Sequence, residues 1–352
     1  MARGTPGGRR RRGRSAVAAA LAALVTVTSA CGTIAVSTPT PTTATTTMVP
    51  LSGSLGIHDP ALVVDSGGRP WLVYGTGDAR VGVGAPRILS SADGGATWAY
   101  AGTAWDKAGD PSWVRAKYTT LGNYWAPALY QHDGTWYLYY AASGFGKNTS
   151  SIGLLTGTSP DPSDPSYGWT DRGEVIASRW SDIYNAIDPT IIEDDAGVPW
   201  LFFGSFWTGI YVVQLEWPSG HVAPGAVPAQ VAGRKLGSSA IEAPAVIVHD
   251  GYYYLFVSWD TCCKGVNSTY NIRVGRSESV TGPYVDRDGA PLATGGGTLW
   301  LEGAGDVIGP GGQSLAGDYL AFHYYNRVLQ GAPTLALAHL GWDDGWPLPP
   351  GQ

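Results

Sequence analysis

Residues 185–209 read NAIDPTIIEDDAGVPWLFFGSFWTG, with Asp188 set between an isoleucine and a proline. Taken singly, an Asp-Pro ahead of an apolar run is turn chemistry leading into a short strand. The same form recurs along the chain. IHDPALVVDSGGRPWLVYGTG (57–77), NYWAPALYQHDGTWYLYYAAS (123–143), AIEAPAVIVHDGYYYLFVSW (240–259) and VIGPGGQSLAGDYLAFHYYN (307–326) share its plan. Each has a loop ending in proline, a short apolar strand, a turn with Asp or Gly, and an aromatic-rich strand. The prolines, Pro60, Pro127, Pro189, Pro244 and Pro310, are spaced 67, 62, 55 and 66 residues apart.

A repeat built on two strong strands with weaker flanking ones is the mark of a propeller blade. The expectation is an all-β, five-bladed β-propeller over residues 51–352. Composition agrees: 50 Gly, 25 Pro, 15 Trp and 19 Tyr with only 14% charged residues. Glycine and proline punctuate turns, Trp and Tyr suit strands, and no helical period of apolar residues is sustained beyond the leader.

Residues 1–31 read as an export signal: the basic RGTPGGRRRRGRS, the apolar AVAAALAALVTVTSA, then small residues before Cys31. TSAC is similar to a lipoprotein cleavage site, with Thr28 where Leu is usual, so lipidation of Cys31 and plain secretion both stand. Residues 32–50, rich in Thr and Pro, read as a disordered linker. The leader carries six Arg and no acid, so its removal takes the net charge from −6 to −12. An acidic surface argues against nucleic acid and anionic membranes as partners. The apolar run is too short to span a bilayer comfortably, and the chain is read as a monomer. Cys262 and Cys263 are adjacent; a vicinal disulfide and two buried thiols are both open, and a zinc site is not expected.

Innermost strands of a propeller begin near its axis, so equivalent positions before them converge on one funnel. Three segments carry an acid beside the proline or one residue short of it: Asp59, Asp188 and Glu242. Converging acids repel one another and raise at least one pKa. That is costly for stability, and it is what glycoside hydrolysis requires of a base and a protonated acid.

These residues resemble glycoside hydrolase family 43, and within it the endo-α-1,5-L-arabinanases. The matches are HDP (58–60), YWAP (124–127), NAIDP (185–189), FGSFWTGI (203–210), IEAP (241–244), DTCCKG (260–265), STYNIRVGRS (268–277), TGPYVDRDG (281–289) and GGGTL (295–299). The CC and GPYVDRDG elements favour arabinanases over the family's xylosidases. The resemblance implies that Asp59 is the general base, Glu242 the general acid, and Asp188 the residue that raises the acid's pKa and orients it. It implies inversion, with base and acid about 6.5–9.5 Å apart. It places Asn185, Ala186, Ile187, Ser205, Phe206 and Trp207 along the arabinose subsites. Trp207 and Trp125 are placed to pack on a furanose ring; core packing is the equal alternative for Trp125. His58 orients Asp59 or is structural.

Arabinanases commonly hold a channel ion, often calcium, through a histidine in GPGH. Here Gly312 stands in that place, leaving His323 as a weak candidate ligand, and the proposed chemistry needs no cofactor. The function implied is endo-cleavage of plant cell-wall arabinan by a secreted or Cys31-anchored glycosidase. An exo-acting arabinofuranosidase or β-xylosidase and a non-catalytic sugar-binding propeller are the alternatives.

Overall fold

The computed structural model describes residues 45–65, 67–234 and 239–351. The expected export signal, Cys31 and the linker through residue 44 lie outside the described residues. Five antiparallel sheets follow one another around an axis. Blade I holds Ala61–Val63, Trp71–Gly75, Arg87–Ser91 and Thr97–Thr103, with Ser52–Gly53 added in parallel at its outer edge. Blade II holds Trp125–His132, Thr135–Ala142, Ser150–Gly157 and Thr170–Ser178. Blade III holds Thr190–Glu193, Pro199–Phe203 and Ile210–Glu216, edged by His221–Val222 and Ala229–Ala232. Blade IV holds Ile241–His249, Tyr252–Trp259, Asn271–Ser277 and Thr298–Glu302. Blade V holds Val307–Ala316, Tyr319–Asn326 and Ala332–His339.

Blade V takes its outer strand from the other end of the chain. Thr47 and Met48 pair with His339 and Ala338, and the Thr46 hydroxyl donates to Leu348 O at 2.6 Å. The linker expected to reach residue 50 therefore gives way to the propeller by Thr46.

The second strand of each blade is sandwiched between neighbours, which explains why these strands read as unbroken apolar runs rather than alternating ones. In TWYLYYAA, Leu138 and Tyr140 pack with Tyr74 and Ile88 of blade I, while Tyr137 and Tyr139 pack with Leu201 and Phe203 of blade III. Matching apolar clusters fill the junctions of blades III–IV, IV–V and V–I. The core is thus a set of interfaces between blades.

The five lead-in prolines share a backbone device. The residue before each one is left-handed: Asp59 (φ 51), Ala126 (φ 41), Asp188 (φ 57), Ala243 (φ 52) and Gly309 (φ 54). Non-glycine residues rarely adopt this conformation, because Cβ crowds the backbone there. The inner strands enclose an axial channel of about 290 Å³. Asp59, Asp188, Ala243 and Gly312 line it, and at each lead-in the chain turns sharply to enter the strand.

Candidate active site

Each acid is held by residues of its own blade, a neighbouring blade, or both. Asp59 receives three kinds of support. His58 Nδ1 lies 2.8 Å from its Oδ2, the Thr76 hydroxyl donates to Oδ2 at 2.5 Å, and its own N–H donates to His323 Nδ1 at 3.1 Å. The His58 and His323 rings stack at 3.7 Å. Burial alone would raise the Asp59 pKa, but His58, His323 and the Thr76 hydroxyl together hold it well below the usual carboxylate range. Burial would likewise lower His58, yet the Asp59 carboxylate outweighs it and raises that pKa. His323 is driven well below its ordinary value, first by burial and then by His58, so it is a neutral imidazole. Accepting the Asp59 N–H at Nδ1 puts its proton on Nε2.

Glu242 lies in different surroundings. The Ser205 hydroxyl donates to its Oε2 at 2.6 Å and the Tyr270 hydroxyl donates to Oε1. Burial raises its pKa beyond what these donors offset, and Asp59 adds to the rise. Asp188 is raised well above its usual value, by burial first and then by the charge of Glu242. The Ala243 N–H donates to Asp188 Oδ2 at 3.1 Å, which ties the two acids through adjacent backbone. The surroundings thus favour the anion at Asp59 and the protonated form at Glu242 and Asp188. That is the arrangement general acid/base chemistry at one centre needs.

Several sequence expectations change here. Ala186 is fully buried in the apolar cluster between blades II and III, so its side chain packs in the core. Asn185 is also buried and accepts the Ser150 hydroxyl at 2.6 Å, and Ile187 is nearly buried, its carbonyl taking the Gly204 N–H. Ser205 is buried and engages the Glu242 carboxylate, so it serves the acid. Two residues before a left-handed turn, side chains point into the core, and proximity in sequence does not reveal this. Phe206 (φ 55) and Trp207 (φ 44) form a left-handed pair in the next loop. The Phe206 N–H donates to Ile241 O at 2.8 Å, which sets this loop against the residue preceding Glu242. Trp207 is 37% exposed, and Trp125 is half-buried at the start of its strand. Thr76, Tyr270 and Tyr325 are site residues that sequence reasoning missed. Tyr270 lies within STYNIRVGRS, where an aromatic among strand residues gives no sign of its partner.

His58, Asp59 and His323 bring potential ligand atoms within 4.8 Å of one another, but they do not fit the calcium that the resemblance implies. His58 Nδ1 faces Asp59, and the His323 Nδ1 lone pair is taken by the Asp59 N–H. Calcium takes six to eight oxygens, and this set offers two imidazoles and one carboxylate. Gly312 (φ 60) leaves no room for a replacement ligand: a Cβ there would stand 2.6 Å from Asp59 Oδ1 and 2.6 Å from His323 Cε1. His323 is a partner of Asp59.

Comparison with known proteins places this geometry. The family model of glycosyl hydrolases family 43 matches residues 82–347. The chain is 41% identical over 294 residues to extracellular endo-α-(1→5)-L-arabinanase 1 of Bacillus subtilis (strain 168), covering 83% of this chain and 87% of that protein. It is 38% identical over 309 residues to extracellular exo-α-(1→5)-L-arabinofuranosidase ArbA of Cellvibrio japonicus (strain Ueda107), covering 83% and 85%. The solved structure of the family 43 endo-arabinanase from Bacillus licheniformis aligns with a TM-score of 0.78 at 38% identity, covering 85% of this chain and 99% of that one.

Proposed function

The chain belongs to glycosyl hydrolase family 43, as a glycosidase of arabinanase type, and from that premise we propose that it makes internal cuts in α-1,5-linked L-arabinan by inverting acid/base hydrolysis. The observation that carries the reading is the contrast in surroundings: His58 and the Thr76 hydroxyl hydrogen-bond the Asp59 carboxylate and favour its anion, while Glu242 is deeply buried near other acids, which raises its pKa. Asp59, ionised, takes a proton from a water as that water's oxygen bonds to the anomeric carbon. Glu242, protonated, gives its proton to the glycosidic oxygen as the C–O bond breaks. Asp188, held beside Glu242 through the Ala243 amide, disfavours early loss of that proton and orients the acid. No cofactor enters either step.

Internal cutting is supported by the loops around the mouth. The turn that follows each second strand lies at the same end of the blade as the lead-in proline. On the blade II–III side these loops and the neighbouring lead-in carry Phe145 (80% exposed), Trp180 (76%), Ile183 (61%) and Trp207. On the opposite side, Val328 and Leu329 of blade V are exposed. Apolar surface on both sides of the acids suits a polysaccharide lying across them, since sugar faces pack on aromatic rings. The exo reading has support from the similarity to ArbA.

Digestion of linear arabinan, with products resolved by length and anomeric configuration, tests both. Mixed oligosaccharides released with inverted configuration are expected. A single product of fixed length would replace the endo reading with the exo one, and retained configuration would overturn the mechanism. We place the enzyme outside the cell as a monomer, in keeping with relatives named extracellular; no described helix is long and apolar enough to cross a membrane. Mass spectrometry of the mature N-terminus tests whether Cys31 carries lipid.

A further inference from the structure

The two adjacent cysteines are joined: Cys262 and Cys263 form a vicinal disulfide, in the loop between the second and third strands of blade IV. The acid/base chemistry above makes no use of it, yet it stands at the base. The Cys263 N–H donates to the Tyr325 hydroxyl at 2.7 Å, and Cys263 Sγ lies 3.9 Å from His58 Nε2. The Tyr325 hydroxyl is in turn 2.8 Å from His58 Nε2 and 3.4 Å from His323 Nε2. Ser268, which accepts the Lys264 N–H at 3.0 Å, faces the same hydroxyl.

The direction of each hydrogen bond follows from its neighbours. A backbone amide is a donor. His323 accepts at Nδ1, so its Nε2 carries hydrogen and donates. His58 Nδ1 faces the Asp59 carboxylate and donates to it. The Tyr325 oxygen thus receives the Cys263 and His323 hydrogens; for its own hydrogen two acceptors are in reach, Ser268 Oγ and, when His58 is neutral, its Nε2 at 2.8 Å, which completes the line to Asp59. We propose that Tyr325 is a positioning residue for the base, its hydroxyl donating to His58 Nε2 so that Nδ1–H is aimed at Asp59, with the Cys262–Cys263 ring holding that hydroxyl in place.

The disulfide suits this role because of where its ring closes. Joining adjacent cysteines encloses the peptide bond between them, and the N–H of that peptide is the one donated to Tyr325. Cys263 is left-handed (φ 67), so the ring presents this amide inward while the cysteine itself remains exposed. The chain of contacts runs from the surface to the carboxylate: disulfide ring, Tyr325, His58, Asp59. A tautomer fixed by a second partner is the general way a histidine is made to serve a carboxylate.

This inference rests on Asp59 being the base, so Asp59→Asn is measured beside the others. Tyr325→Phe is expected to lower kcat about tenfold with KM within about twofold. Phosphine reduction of the folded wild type is expected to lower kcat similarly, and Cys262→Ser/Cys263→Ser repeats the test without reductant. Reduction of Tyr325→Phe should cause little further loss, because both changes break one chain. In 15N-histidine spectra of the wild type, recorded at a pH above the raised His58 pKa, His58 should show a protonated Nδ1 and a bare Nε2. Additive losses, an unchanged kcat in Tyr325→Phe, or a protonated Nε2 on His58 would overturn the proposal. An active Asp59→Asn would instead remove the base assignment beneath it.

Discussion

Asp59 and Glu242 stand in nearly the same local context, at a left-handed turn one or two residues ahead of a proline that starts an inner strand. Their surroundings are opposite. Asp59 has His58 and the Thr76 hydroxyl donating to its carboxylate, both favouring the anion, while His323 accepts its N–H. Glu242 has a second carboxylate nearby and deep burial, which favour the acid. The comparison teaches that the lead-in turn supplies position, while protonation state is set by partners from the same blade and the adjacent one together. Thr76 comes from blade I and also accepts the Ala126 N–H of blade II at 2.9 Å. His323 comes from blade V and Ser205 from the loop of blade III.

Breaking the comparison outright gives the largest effects. Glu242→Gln keeps shape and removes the transferable proton; kcat on arabinan is expected to fall about 10³-fold, with a smaller fall on aryl glycosides whose leaving groups need no proton. Asp59→Asn should lose about as much on both substrates, since water activation precedes either leaving group. Steady-state rates on the two substrate types separate these cases.

Tyr270→Phe sharpens the comparison on the acid's side. Removing a donor to the Glu242 anion makes the anion less favourable, so the alkaline limb of the pH–rate profile should move up, with kcat about tenfold lower from lost orientation. Asp188→Asn should move the same limb down, because Glu242 loses the carboxylate beside it. Opposite shifts from two neighbours of one acid would be hard to obtain from general disruption.

Stability offers a weaker but independent reading. Folded-state pKa values raised above the unfolded ones mean that Glu242 and Asp188 destabilise the fold increasingly as pH rises from the unfolded carboxylate range toward their raised values. Asp188→Asn should therefore raise Tm by about 1–3 °C at pH 8 and by little at pH 4, measured by calorimetry. Thr76→Val should give the smallest change: the Asp59 anion loses one donor, so the acid limb rises slightly. An unmoved limb would mean that the histidines alone set the ionisation of Asp59.

The propeller was legible because its repeat is carried by proline, turn residues and apolar strands, all of which sequence displays directly. Asp59, Asp188 and Glu242 could be singled out for the same reason, as they occupy matching repeat positions. Their partners could not. His323 drew notice only as a weak candidate metal ligand, and Thr76, Tyr270 and Tyr325 lie at second-strand ends or third-strand starts, where they resemble the packing residues beside them. Asn185 and Ala186 were expected along the subsites, and their burial was not legible, because neighbours in a loop can face opposite sides and only the backbone angles decide. The left-handed residue before each proline left a trace at Gly309 alone, the one position of the five where glycine reveals the need. A cysteine pair in sequence could not show that its shared peptide points at a tyrosine in another blade.

The outer strand of blade V has a consequence for how the chain comes to be folded. Thr46 and Gly341, joined by hydrogen bonds, are 295 positions apart. The first of the described strands to be synthesised therefore cannot pair until residues 332–339 have been made. Contacts this distant in sequence form late and slowly. During that interval the edge of the nascent fifth sheet is exposed to other chains, so the early life of this protein depends on how quickly its two ends meet.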